Sequence, residues 1–349
     1  GVYDDSVWEH LAGSVSEPPF VTELYQLEAY RDRLARLSNT LAEGTSDTIA
    51  PNTVRWIEIE TGNTNVVRIV RCPLEIAEPL ADWVYGNLHS LVMTSATLSV
   101  RRRFEYFNAR IGLDRVPDRA PACVSIDSPF DFQSQALLCV PTDLAAPDER
   151  AFHDDTVASV REILKITRGH AFILFTSFYA LDYAHSRLEA ELKAAGITAL
   201  KQGTAARTRL LDRFRSDASS VLFATDSFWE GVDVPGDALQ CVVLTKLPFR
   251  VPTEPILQAR SEAIEEAGGN AFMDFTVPQA VIKFRQGFGR LIRRKTDRGA
   301  IIVLDRRVTT KHYGKVFLES LPGMRVVSGP SEGVYMALRK FFGNDSRDG

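Results

Sequence analysis

The sequence predicts an α/β fold: a parallel sheet covered by helices on both faces, preceded by a helical N-terminal segment. Three observations predict it. From Ala171 onward, short apolar runs alternate with amphipathic stretches, the pattern of strands buried on both faces and linked by helices. Before residue 50, Leu24, Leu27, Tyr30, Leu34, Leu37 and Leu41 recur every three or four positions. The 349 residues, 45% of them hydrophobic, also exceed one domain of roughly 100–200 residues.

Taken in order, residues 1–50 read as a helical segment whose leucine stripe is a buried face, closed by Gly44-Thr45-Ser46-Asp47-Thr48. Val54 to Glu60 and Val66 to Val70 alternate apolar and charged residues, as half-buried strands do. A helix is expected over Ile76 to Leu88, then a short buried strand, Leu91 to Thr94, ending in Ser95-Ala96-Thr97. Arg101 to Pro147 is rich in proline, weakly periodic and reads as loop around Ser128-Pro129-Phe130, with a domain boundary near residue 125 separating 51–125 from 126–349. Beyond it come strands Ala171 to Phe175, Ile197 to Leu200, Val221 to Ala224, Cys241 to Leu244 and Ala300 to Leu304. Between them lie helices Tyr179 to Ala195, Ala206 to Phe214, Pro255 to Glu266 and Val277 to Arg294.

Composition excludes several classes. With 41 Lys+Arg against 45 Asp+Glu the net charge is −4, so any nucleic-acid contact must come from a local patch. Cys72, Cys123, Cys139 and Cys241 are far apart and show no C-x-x-C spacing, which encodes neither a disulfide framework nor a metal site and fits a reducing, cytoplasmic compartment. No run of about 18 apolar residues predicts a membrane span. The chain opens with Gly1-Val2-Tyr3 rather than Met, as a piece of a longer protein would. His153-Asp154-Asp155 could be read as metal ligands, but the three are adjacent with no facing partner and read as a surface loop; no metal site is expected.

The most informative segment is Gln286-Gly-Phe-Gly-Arg-Leu-Ile-Arg293. On a continuous helix the spacings of four and three put Gln286, Arg290 and Arg293 on one face, with Val281, Phe284, Phe288 and Leu291 as the stripe that docks it. Gly287 and Gly289 each cost about 1 kcal/mol inside a helix, which implies that something approaches that backbone closely. Aligned guanidiniums suit bidentate phosphate recognition; the alternative is a solvated basic face from Lys283 to Arg298. Phe223 to Gly236 leaves a buried strand and enters a loop dense in hydroxyls, carboxylates and glycine, where ligands of open parallel sheets bind, or where an ordinary polar loop turns. Thr94-Ser-Ala-Thr-Leu98 and Phe175-Thr-Ser-Phe178 also stand at strand ends; Thr176 and Ser177 either donate to phosphate or cap the next helix.

In their order and spacing these strings resemble superfamily 2 helicase motifs. Ser95-Ala-Thr97 is similar to motif III, Leu174 to Phe178 to motif IV, Thr225 to Gly236 to motif V and Gln286 to Arg293 to motif VI, in the form of the DinG branch of the DinG/XPD helicases, from about Trp56 to Asp305. The resemblance implies a RecA-like motor domain over 126–349, the C-terminal return of a first RecA-like motor domain over 51–125, and the end of an insertion over 1–50. It implies ATP with Mg2+ in a cleft reached by Arg290 and Arg293 with Gln286 beside them, and motif V residues Glu230, Gly231 and Asp233, with Gly289, at the nucleotide. Single-stranded DNA would meet Thr176, Ser177, Ser95, Thr97, Ser227 and Trp229, a Trp that could equally be core. Arg101-Arg102-Arg103 and Arg110 would extend that channel or form a solvated loop.

The sequence also departs from the family's pattern. Nothing matches the Walker A form G-x-x-x-x-G-K-[ST], and Asp148-Glu149-Arg150-Ala151 follows Ala-Ala-Pro rather than a buried strand, so it is not a Walker B box. The expectation is a C-terminal portion, inactive alone, whose partner is the N-terminal motor domain of the same parent; an iron-sulfur cluster would belong to that other part. A non-catalytic nucleic-acid-binding module, or an RNA- or CRISPR-associated helicase, would read similarly.

Overall fold

The computed structural model of the chain describes residues 20–62, 65–116, 119–225, 228, 234, 238–289 and 291–343, in two compact units, one ending at Glu75 and one starting at Ile76. The first consists of helix α1 (Val21–Thr45) and a hairpin of β1 (Thr53–Glu60) and β2 (Val66–Pro73). The hairpin is antiparallel, from Thr53 opposite Pro73 to Glu60 opposite Val66, and Arg68 pairs with Glu60 at 2.8 Å. The expected buried face of α1 is not found: Leu27, Tyr30, Leu34, Leu37 and Leu41 are each more than half exposed. The hairpin meets the helix at its last turn, where Glu43 pairs with Arg71 and Gly44 packs on Ile69, which leaves the stripe uncovered.

In the second unit the expected helix after Ile76 forms with uneven pitch: Ala77–Pro79, a wider turn Leu80–Val84 and a tighter one Tyr85–Asn87. Tyr85 anchors it by donating its hydroxyl to the Ile111 carbonyl, at 2.8 Å, in α2 (Glu105–Ile111). Leu91 to Thr94 is neither strand nor buried; Leu91 is 44% and Val92 83% exposed. An apolar run becomes a strand only where a neighbour supplies the ladder, and among the described residues none pairs here.

The rest is built on a parallel sheet. Its strands are β3 (Ala136–Pro141), β4 (Ala171–Phe175), β5 (Thr198–Lys201), β6 (Ser220–Thr225), β7 (Cys241–Leu244), β8 (Gly299–Val303) and β9 (Arg325–Gly329), in the order β5-β6-β4-β7-β8-β3-β9. Every pairing is parallel. Alternate residues point to opposite faces, so Phe172, Leu174, Leu222 and Val242 meet α5 (Arg207–Ser216) and α7 (Val277–Phe288) on one side. Ile173, Phe175, Phe223 and Val243 meet α3 (Phe152–Thr167), α4 (Phe178–Ala194) and α8 (Ser331–Phe342) on the other; α6 (Pro255–Glu266) precedes α7 in the chain. Cys139 and Cys241 belong to the second core, where burial pushes the Cys139 thiol up to about 12, so both serve as small protonated core residues. No helix among the described residues is long and apolar enough to cross a membrane.

Three expectations change here. The weakly periodic stretch from Arg101 to Pro147, in which no strand is expected, contains β3, which is buried throughout. The loop expected at His153-Asp154-Asp155 is the first turn of α3, where the Asp155 carboxylate accepts from the Ala145 N–H at 2.8 Å and Asp154 from the Tyr183 hydroxyl at 2.6 Å. The helix expected to reach Arg294 stops at Phe288.

Between α3 and β4 the backbone turns through Arg168, Gly169 and His170, with φ of 54°, 92° and 48°. A Cβ on Gly169 would lie 2.5 Å from the Ser219 carbonyl carbon, a backbone atom that cannot yield. Gly169→Ala should therefore lose about 1–3 kcal/mol of stability, read as a lower urea midpoint by circular dichroism at unchanged slope.

His185 of α4 is buried with its ring edge-on to Phe223, at 5.3 Å, and burial holds its pKa below the ordinary 6.5, a shift that Glu189 opposes and Lys201 reinforces. Because the unfolded chain protonates this group first, its contribution is intact above pH 6.5 and is lost as pH falls from there through the depressed folded value. The urea midpoint should fall between pH 7 and pH 5, and His185→Leu should flatten that dependence.

Candidate functional site

The segment from Gln286 to Arg293 lies at the edge of the sheet where β8 begins. The Gly289 N–H still donates to the Arg285 carbonyl at 3.0 Å, but the N–H groups of Arg293 and Arg294, which a longer helix would use, donate instead to the Asp297 carboxylate at 2.9 and 2.8 Å. That competition, with two glycines weakening the helix, ends α7 at Phe288. Arg293 therefore does not share a helix face with Gln286; Arg290 lies outside the described residues, as does the Phe288 side chain. Gln135, just before β3, ties the turn to the sheet by donating from Nε2 to the carbonyls of Arg294 and Asp297, both at 2.9 Å. Leu291 is buried against Gly299, whose Cβ would come within 2.3 Å of it. Among the described residues a Cβ on Gly289 meets only its own preceding turn, at 3.7 Å, so none of them makes the close approach expected from its helix cost.

One residue absent from the sequence-based set, Arg285, joins this turn to the Ser95-Ala96-Thr97 segment. Its guanidinium donates from Nη2 to the Ala96 carbonyl at 2.7 Å and from Nη1 to the Ser99 carbonyl, and burial pushes its pKa down. Ser95 and Thr97 form their own hydroxyl turn, the Thr97 N–H donating to Ser95 Oγ at 3.2 Å. Ser95 and Thr97 thus accompany the last turn of α7. A pocket of about 690 Å³ opens alongside, lined by residues 88–96, by 119–126 and by Arg285. The only sequence signal for Arg285 is its place directly before Gln286.

The opposite, carboxyl edge holds Thr176, Ser177 and Thr225. Ser177 is the N-cap of α4, its Oγ accepting from the Ala180 N–H at 3.2 Å, so the capping alternative describes its bond; its side is exposed nonetheless. Thr225, at the end of β6, donates from both N–H and hydroxyl to Gln202 Oε1, at 2.7 and 3.1 Å. Phe228 and Val234 sink into the core on the α5 and α7 side, and Arg207 donates to the Phe228 carbonyl at 2.7 Å. Ser227, Trp229, Glu230, Gly231 and Asp233, between those anchors, lie outside the described residues.

Also at this edge is a charged pair that motif reading did not select. Asp305, fully buried, accepts from the Leu247 N–H at 3.0 Å and from Arg307 Nη2 at 2.6 Å, which raises the Arg307 pKa. It fixes the β7 and β8 ends to each other, and Lys246 beside it is held below its ordinary range by burial and by Arg307. The basic run of the loop is engaged: Arg101 pairs with Glu319 at 2.7 Å, Arg102 with Asp127, and Arg110 lies over the Phe275 ring.

The donors at the amino edge suit phosphate oxygens: arginines, and backbone beside an uncrowded glycine. Among the described residues no three His, Cys, Asp or Glu gather in a way that could hold a metal ion.

Residues 160–324 match the helicase C-terminal domain family. The chain is 36% identical over 325 residues to the 3'-5' exonuclease DinG of Bacillus subtilis, covering 90% of this chain and 34% of that protein. It is 36% identical to the ATP-dependent DNA helicase YoaA of Escherichia coli, with 84% and 43% covered, and 33% identical to the ATP-dependent helicase DinG of Mycobacterium tuberculosis, with 84% and 44% covered. The chain thus spans less than half the length of these relatives. A solved XPD helicase shares the fold, with a TM-score of 0.51 at 16% identity over 74% of this chain and 46% of that one. The chain thus carries a helicase C-terminal domain on a RecA-like parallel sheet and is similar over most of its length to the DinG and YoaA helicases.

Proposed function

We propose that this chain is the C-terminal motor portion of an ATP-dependent, cytoplasmic helicase that moves 5′ to 3′ along single-stranded DNA, working with the N-terminal motor domain of the same parent. The observation that carries the reading is Arg285, which bonds the Ser95-Ala96-Thr97 turn to the end of α7 at the edge opposite Thr176, Ser177 and Thr225. A nucleotide cleft and a strand groove on opposite edges are what a motor needs to convert one event into the other.

ATP would supply the free energy as water attacks its γ-phosphorus and the β–γ phosphoanhydride bond breaks to leave ADP and inorganic phosphate, and the Mg2+ this needs would be held by the other motor domain. Arg290 and Arg293 place guanidinium charge where negative charge spreads over the transferring phosphoryl oxygens, and Gln286 orients beside them. Asp297 fixes the Arg293 backbone in advance, so little order is lost when the cleft closes. Motif V residues Glu230, Gly231 and Asp233 would couple the nucleotide cleft, where Gly289 lies, to the strand groove. Ser227 and Trp229 would contact the strand, whose backbone meets Thr176 and Ser177. Arg285 carries the cleft's state to Ser95 and Thr97.

In the protein carrying both motor domains, Arg290→Ala and Arg293→Lys should each lower ATP turnover by about 10³-fold or more, because a point charge cannot replace the fork, while nucleotide-free DNA binding is retained. Arg285→Gln should instead keep basal turnover and lose its stimulation by DNA. A steady-state ATPase assay beside a DNA titration checks both, and near-normal stimulated turnover in all three variants would leave this helix as a solvated basic face. The chain itself should bind single-stranded DNA without sequence preference, and log K should fall against log salt with a slope of about −0.7 per phosphate neutralised. Salt-independent affinity would contradict that contact.

A further inference from the structure

We propose that the first turn of α4, through Phe178 and Tyr179, is a platform on which the unpaired bases of single-stranded DNA stack. The proposal rests on the nucleic-acid reading of the carboxyl edge and adds to it a site for bases rather than for backbone.

Of the described Phe, Tyr and Trp residues from Phe130 onward, the two more than half exposed are neighbours: Phe178 at 54% and Tyr179 at 68%. They directly follow Thr176 and Ser177, and the Ser177 cap fixes the turn that presents them. Two large rings left in water beside polar strand ends lose the stabilisation burial would give, and a ligand with a flat apolar face restores it.

The platform is braced from behind. Tyr179 abuts His153 at 5.6 Å and Tyr183 at 6.2 Å, and His153 meets Tyr183 at 5.4 Å. The Arg187 guanidinium covers Tyr183 at 3.4 Å from the ring centre, and the Tyr183 hydroxyl is held by Asp154 at 2.6 Å. Burial and the nearby Lys246 hold the His153 pKa below its ordinary value. Rings already ordered in this way lose little conformational entropy when a base lands on them.

The local charges are occupied, which selects bases over phosphates. Asp154 accepts from Tyr183, Asp182 pairs with Lys201 at 2.8 Å, Arg187 lies on Tyr183, and Lys246 lies over Phe152 at 4.8 Å. What remains for a ligand is the ring face, and every base carries a π-face that can use it regardless of sequence.

The test compares the chain with its Tyr179→Ala and Tyr179→Trp variants for binding dT15 and an abasic oligonucleotide of equal length and charge, by fluorescence anisotropy at one salt concentration. Tyr179→Ala should bind dT15 about 5- to 100-fold more weakly, Tyr179→Trp should restore the affinity, and neither should change binding to the abasic strand. Thermal melting of each variant confirms that the fold is kept. Unchanged dT15 affinity in Tyr179→Ala, or an equal loss on the abasic strand, would overturn the platform while leaving the groove in place. Failure of the unaltered chain to bind either oligonucleotide would overturn the nucleic-acid reading and the platform with it.

Discussion

Everything in the second unit depends on its strands running in one direction. A parallel sheet needs a return crossing for each strand, so it is covered by helices on both faces and its two edges acquire different chemistry. At the carboxyl edge the strands lead into the polar residues Thr176, Gln202, Thr225, Thr245 and Asp305, where Thr225 bonds Gln202, Thr245 bonds the Leu174 carbonyl and Asp305 bonds Leu247 and Arg307. At the amino edge the chain comes back in, and there the Asp297 turn, Gln135 and the end of α7 meet. An antiparallel sheet of the same residues would mix these two populations along both edges.

Much of this was legible because strands buried on both faces announce themselves as short apolar runs and the helices between them as amphipathic stretches. Five strands from Ala171 onward and α4 to α7 lie close to where the sequence predicts them. β3 was hidden because its run follows a proline-rich stretch that carries no period, and β9 because an edge strand is half exposed and its Arg325-Val-Val-Ser-Gly reads as loop. The stop of α7 was illegible for a different reason: it depends on a carboxylate four residues beyond Arg293 competing for backbone N–H groups, which no helical periodicity records. The stripe on α1 and the run Leu91 to Thr94 are the reverse case, patterns correctly apolar whose covering neighbour is absent among the described residues.

The site was legible in its motifs and not in its connections. Spacing alone put Gln286, Arg290 and Arg293 on a common face, whereas the structure sets Arg293 in a turn and gives the bridging bonds to Arg285. The half-buried Arg285 guanidinium satisfies two carbonyls of a neighbouring loop, so displacing it would leave those acceptors without their partner. It ties the serine-threonine turn to the helix end. Asp305 plays the corresponding part at the other edge, where it locks the ends of β7 and β8.

The strand order also sets a timetable. β3 is made first of the seven, yet its two neighbours, β8 and β9, are made last, while β4, β5, β6 and β7 lie next to one another both in the chain and in the sheet. As the chain emerges from the ribosome, the β5-β6-β4-β7 side of the sheet has its partners at hand, whereas β3 waits with two open edges until the C-terminal residues arrive. A nascent chain interrupted before β8 would therefore expose Ala136-Leu-Leu-Cys-Val-Pro141, an uncharged apolar segment, to other chains.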